Sequence, residues 1–126
     1  MANAPGSITP VRAATEIWET VVLLDVGASG AMTVKYGKGI SSVAATATGK
    51  YTVTFTEVGS KLLDMQVSFH LAANAESYVA RPTVDSFSAS AKTAAFEVWE
   101  IDETQAQKEP ASGSDCCIRV TWLKTV

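Results

Sequence analysis

The feature that most constrains the fold is a strict alternation of apolar and polar residues between positions 63 and 71. The odd positions carry Leu63, Met65, Val67, Phe69 and Leu71, and the even positions carry Asp64, Gln66, Ser68 and His70. A helical period would mix these two sets, whereas a β-strand places them on opposite faces. The pattern therefore predicts a half-buried strand with an apolar face on the core and a polar face outward.

The same period of two recurs along the chain between turn signals. Tyr51, Val53 and Phe55 alternate with polar residues, and a closing run places Cys116, Ile118, Val120 and Trp122 on one face. Further strands are predicted at 15–26, 33–36, 40–47, 78–81, 84–89 and 94–101, although the first half of 15–26 also fits a helical turn. About eight short strands without a long helix predict an all-β fold, either an antiparallel β-sandwich or a small barrel.

Composition places all of this in one domain. The chain has 126 residues, of which 47% are hydrophobic and only 18% charged. Residues 1–14 contain Pro5, Gly6 and Pro10 among small side chains and are predicted to form an extended N-terminal arm, with a single β-sandwich domain over 15–126. A low-charge surface rich in Thr, Ser and Ala suits a protein that packs against partners.

Charge and hydropathy exclude several classes of partner. The net charge of −3 and the isoelectric point near 5.0 provide no basic field for nucleic acid. The longest apolar run, Val21 to Leu24, is too short for a membrane span. The first residues lack a basic region followed by an apolar one, so synthesis and assembly in a cytoplasm are expected.

The residues that carry chemistry are sparse. His70 is the only histidine, and its neighbours on the polar face, Ser68 and Asp64, lack the nucleophile elbow that usually accompanies a serine triad. Cys116 and Cys117 are adjacent, point to opposite faces of a strand and are expected to be free thiols. We therefore expect no enzyme, no cofactor and no metal site.

Two alternatives remain open at this stage. A small hydrolase would use Asp64 and His70. A carbohydrate-binding module would use an aromatic platform built from Trp18, Trp99 and Trp122, although all three lie in apolar strand patterns that favour packing.

Several segments together resemble one family. They are Gly37–Val43 (GKGISSV), Thr48–Phe55 (TGKYTVTF), Phe69–Ala75 (FHLAANA), Phe96–Glu100 (FEVWE) and Cys117–Leu123 (CIRVTWL). This series is similar to the small virion structural proteins of tailed bacteriophages, of the capsid decoration (cement) type. The chain departs from the family's ending, where Asp115-Cys116-Cys117 replaces a pair of asparagines.

The resemblance implies a viral structural protein with a β-sandwich or jelly-roll-like fold on the outer capsid surface of the virion. It would bind the major capsid protein and itself, as a homodimer or homotrimer, and bridge capsid subunits; a tail, baseplate or head-fibre subunit is the alternative. The expected contacts lie on the arm, at Trp18 and on the polar strand face. They are Pro5, Pro10, Arg12, Trp18, Asp64, Gln66, Ser68 and His70.

Overall fold

Antiparallel strands make up most of the chain in the computed structural model, which describes residues 15–70, 78–101, 106–108 and 110–125. The strands are β1 (Thr15–Val26), β2 (Met32–Gly37), β3 (Ile40–Ala47), β4 (Lys50–Phe55), β5 (Lys61–His70), β6 (Tyr78–Ser88), β7 (Thr93–Glu100) and β8 (Asp115–Thr125). A 3₁₀ turn, Ala28–Gly30, joins β1 to β2. The predicted all-β, antiparallel fold is confirmed, and β1 is a strand throughout rather than partly helical.

The eight strands form one sheet in the order β5-β8-β1-β2-β3-β4-β7-β6. The two edge strands, β5 and β6, approach each other, so the sheet nearly closes into a barrel. The rings of Phe69 and Tyr78 meet across this seam, with 6.3 Å between their centroids. Strands from the two ends of the chain, β1 and β8, pair along almost their whole length.

The barrel is filled by the side chains that the alternation assigns to its interior. On β8, Cys116, Ile118, Val120 and Trp122 are all fully buried. Trp122 lies at the centre of an aromatic cluster: Trp18 stacks on it, while Phe55 and Phe87 meet it edge-on at 4.9 and 5.3 Å between centroids. These contacts join β8, β1, β4 and β6, so they hold opposite walls of the barrel together.

One predicted core position is wrong. The register of β5 against β8 shifts between Leu62 and Asp64, which is the signature of a β-bulge. The extra residue turns Leu63 outward, where 40% of it is exposed, and Leu62 takes its place in the core with only 2% exposed. Leu71, predicted on the same apolar face, lies outside the described residues.

Pro82 does not divide the segment after residue 78 into two strands, as its position suggests. One strand, β6, runs from Tyr78 to Ser88, and Pro82 pairs in register with Phe96 of β7. The strand tolerates a proline because it lies at the edge of the sheet, where a missing N–H need not break a ladder.

Candidate functional site

The polar face predicted from the alternation lies on the outside of the barrel. Asp64, Gln66, Ser68 and His70 are all exposed on β5. They stand opposite Thr121, Arg119, Cys117 and Asp115 of β8, respectively. The side-chain amide of Gln66 donates a hydrogen bond to Asp64 Oδ2 at 3.1 Å. The sheet therefore brings four of the predicted contact residues together on one surface.

This surface continues over the next two strands. Across β8 and β1, Thr121 is paired with Glu19, Arg119 with Val21, and Cys117 with Leu23. Tyr36 of β2 stands beside Leu23. We call the outward side chains of β5, β8, β1 and β2 the four-strand face.

Apolar side chains stand exposed on the four-strand face. Ile17 of β1 and Tyr36 of β2 are each 66% exposed, and Val21 and Leu63 are exposed as well. Apolar residues normally leave the solvent side of an antiparallel sheet to polar ones. Two of them, Ile17 and Val21, lie on β1, which has a paired strand on both sides, so this face is a candidate contact surface.

A charged group borders the four-strand face at one end. Lys35 Nζ lies 3.3 Å from Asp25 Oδ1 and 3.6 Å from Asp115 Oδ1. The hydrogen bond that Lys35 donates to Asp25, with the charge of Asp115, raises the pKa of Lys35 above its ordinary value of 10.5. The lysine therefore stays protonated at neutral pH, between two carboxylates that fix its position.

Trp18, another predicted contact, does not join this surface. Trp18 lies on the inner side of β1, where its ring stacks on Trp122 at 5.7 Å between centroids. Its partly exposed edge lines a small cavity of about 170 Å³ beside Gly59 at the end of the barrel. Pro5, Pro10 and Arg12 lie outside the described residues.

The three tryptophans do not form a common platform. Trp122 is in the core, Trp18 is stacked on it, and Trp99 projects from the outer face of β7 on another part of the sheet. The guanidinium carbon of Arg81 lies 5.6 Å from the centroid of the Trp99 ring, and Trp99 Nε1 donates a hydrogen bond to Glu97 Oε1 at 3.2 Å. Trp99 is therefore held in place by one charged group on each of β6 and β7.

Two adjoining cavities lie along this part of the sheet, and Arg81 lines both. One, of about 380 Å³, is bordered by Val79, Trp99 and Ile101. The other, of about 390 Å³, is bordered by Thr83, Asp85 and Glu97. We call these residues together the β6–β7 groove. The strand predicted over 94–101 contains both Trp99 and Ile101, but finding the groove also requires knowing that β6 is the neighbour of β7.

The two cysteines are free thiols, as predicted. Burial, together with the charge of Cys117, raises the pKa of Cys116 to about 12, so its thiolate is scarce at neutral pH. Cys117 lies half-buried on the four-strand face.

The buried carboxylate of Glu100 forms an ion pair with a lysine of the following loop. Glu100, at the end of β7, is buried and lies 2.7 Å from Lys108 Nζ. Backbone bonds hold this loop in place, since Glu100 N donates to Ala106 O and Lys108 N donates to Val98 O. The ion pair and the two backbone bonds fasten this loop to the end of β7.

Two searches of the described residues and the comparisons with known proteins add no further assignment. No group of three His, Cys, Asp or Glu side chains within the described ranges is placed to hold a metal ion. No helix among those residues is long and apolar enough to cross a bilayer. Comparison of the chain with protein-family models, with curated proteins and with solved structures found no match.

Proposed function

We propose that this chain is a capsid decoration protein that binds the outer surface of a tailed-phage head and bridges major capsid subunits. The observation that carries the proposal is the four-strand face, where Ile17, Val21 and Tyr36 expose apolar side chains on a paired sheet. The sequence resemblance to small virion proteins supplies the identity of the partner.

A decoration protein needs a rigid adhesive surface, and the four-strand face has the properties of one. β1 and β8 each have a hydrogen-bonded strand on both sides, so their outward side chains keep fixed spacings. Binding of a partner that matches this surface therefore costs little conformational entropy in the strands themselves. Ile17 and Val21 offer apolar surface that a partner would bury, and the neighbouring charges of Glu19 and Arg119 offer directional ion pairs.

Strong contacts at each site are not required. Many copies on one shell cover many joints, so a modest affinity at each joint adds up over the particle. A protein that binds only the assembled lattice also stabilises that lattice by mass action. In this proposal the same copies contact each other as homodimers or homotrimers at the joints between capsid subunits.

The test is the copy number of this polypeptide in purified particles, measured by quantitative mass spectrometry against the major capsid protein. A decoration protein is expected at a number comparable with that of the capsid subunit. A few copies per particle would instead place the chain in the tail, the baseplate or a head fibre, and absence from the particle would refute a structural role in the virion.

A further inference from the structure

We propose that the β6–β7 groove binds an uncharged oligosaccharide. The inference is independent of the decoration function, because the groove and the four-strand face are built from different strands. The groove has an apolar half and a polar half, and Arg81 borders both.

The apolar half presents a strip of exposed side chains on the outer face of the sheet. Val79 stands directly opposite Trp99, and Ile101, just past the end of β7, lines the same cavity. Val79 is 41% exposed and Ile101 55% exposed. Trp99 and Ile101 are two residues apart, which is roughly 7 Å in an extended chain and the scale of one or two pyranose rings. Sugar rings bind such surfaces through their C–H faces, which are apolar.

The polar half presents hydrogen-bonding groups at the end of this strip. Asp85 and Glu97 accept hydrogen bonds from hydroxyl groups, Thr83 both donates and accepts, and the guanidinium of Arg81 donates. Glu97 already accepts the Trp99 Nε1 hydrogen bond, and a carboxylate has further lone pairs to offer. A ligand that is apolar on its ring faces and rich in hydroxyl groups at its edges satisfies both halves.

The charges of the groove favour an uncharged ligand over an acidic one. Arg81 contributes one positive charge, while Asp85 and Glu97 contribute two negative ones. The carboxylate of Glu100 beside the apolar half is buried and paired with Lys108. An acidic sugar would therefore meet net repulsion, whereas the hydroxyl groups of a neutral sugar gain acceptors. The volume of each cavity lies within the range of small-molecule sites.

Isothermal titration calorimetry on the intact protein tests this inference with cellotetraose, maltotetraose and tetra-N-acetylchitotetraose as uncharged probes. Tetragalacturonate is the acidic comparison. We expect saturable binding of at least one uncharged probe, weakened about tenfold or more by Trp99→Ala. Tyr36→Ala, which removes an exposed aromatic ring from the four-strand face, is the matched control and should bind as the unchanged protein does.

A second variant keeps the test decisive if Trp99→Ala fails to fold. Asp85→Asn removes a charge from an exposed position on β6. It should weaken binding of the same uncharged probe while leaving the circular dichroism spectrum unchanged. The inference is wrong if no uncharged probe binds at about 10 mM, if tetragalacturonate binds more tightly, or if folded Trp99→Ala or Asp85→Asn binds as the unchanged protein does. None of these outcomes bears on the copy number in particles.

Discussion

One buried hydrogen bond joins the two central strands of the four-strand face. Trp122 Nε1 on β8 donates to Thr20 Oγ1 on β1 at 3.1 Å, and both residues are buried. The residues that flank Thr20 in sequence, Glu19 and Val21, point outward on the four-strand face. We therefore predict that Thr20→Val, which keeps the shape of the side chain and removes the acceptor, destabilises the protein.

The expected size follows from the environment of the indole. Without Thr20 Oγ1, the N–H of Trp122 stays buried and unpaired, which costs about 1–3 kcal/mol. The more apolar valine offsets part of this cost, so the expected net loss in the free energy of unfolding is about 1–2 kcal/mol. For a domain of this length, about 4 °C is lost per kcal/mol, so the melting temperature should fall by about 4–8 °C.

A double-mutant cycle separates the hydrogen bond from packing. In a Trp122→Phe background there is no indole N–H to satisfy, so Thr20→Val should be neutral or stabilising there. Guanidinium unfolding followed by circular dichroism is the assay, because fluorescence would change with Trp122 itself. Thr121→Val, the same substitution on the outer side of β8, is the control and should shift stability by less than about 0.5 kcal/mol. An equal loss from Thr20→Val in both backgrounds would refute the reasoning.

Three further predictions concern the four-strand face and the two thiols. Val21→Asp places a charge among the exposed apolar residues of β1 and should weaken binding to particles about tenfold or more in a cosedimentation assay, whereas Ser42→Asp, at an exposed position on β3, should not. An aromatic disulfide reagent near pH 8 should label Cys117 alone in the folded protein and both cysteines after unfolding, because the pKa of Cys116 is raised to about 12; rapid labelling of Cys116 in the folded protein would contradict its burial. Because the pKa of Lys35 is raised in the folded protein, its ion pairs contribute fully to stability below the ordinary pKa of 10.5, and this contribution is lost as the pH rises through the folded pKa. The measurement is the difference in unfolding free energy between Lys35→Met and the unchanged protein. If that difference disappeared below pH 9, the predicted sign would be wrong.

Local periodicity in the sequence was sufficient for most of the strands and for most of their inward and outward faces. The residues of β8 assigned to one face are all buried, and β3 begins and ends where the pattern places it. The failure at Leu63 has a physical reason. A β-bulge adds one residue without interrupting the strand, and the leucines at 62 and 63 are equally apolar, so the alternation alone does not decide which one enters the core.

The sequence was insufficient for features that depend on which strands are neighbours. The four-strand face combines strands from both ends of the chain. Its outward side chains are neighbours only because β8 lies between β1 and β5. Trp18 illustrates the consequence. Its position in an apolar strand pattern was correct, but only the pairing with Trp122 shows that its ring packs inward, away from the polar residues with which it was grouped.

The placement of the two surfaces leads to a final prediction that joins both proposals. β8 and β4 lie on opposite walls of the barrel, since Trp122 and Phe55 meet across the core. The four-strand face lies on the wall of β8, and the β6–β7 groove lies on the sheet next to β4. In a copy attached through the four-strand face, the β7 side of the groove therefore faces away from the shell, while β6 borders β5 at the seam. Particles that carry the protein should bind the same uncharged tetrasaccharide with the affinity of the free protein. Loss of that binding on attachment would mean that the shell covers the groove, and hence that a different face makes the contact.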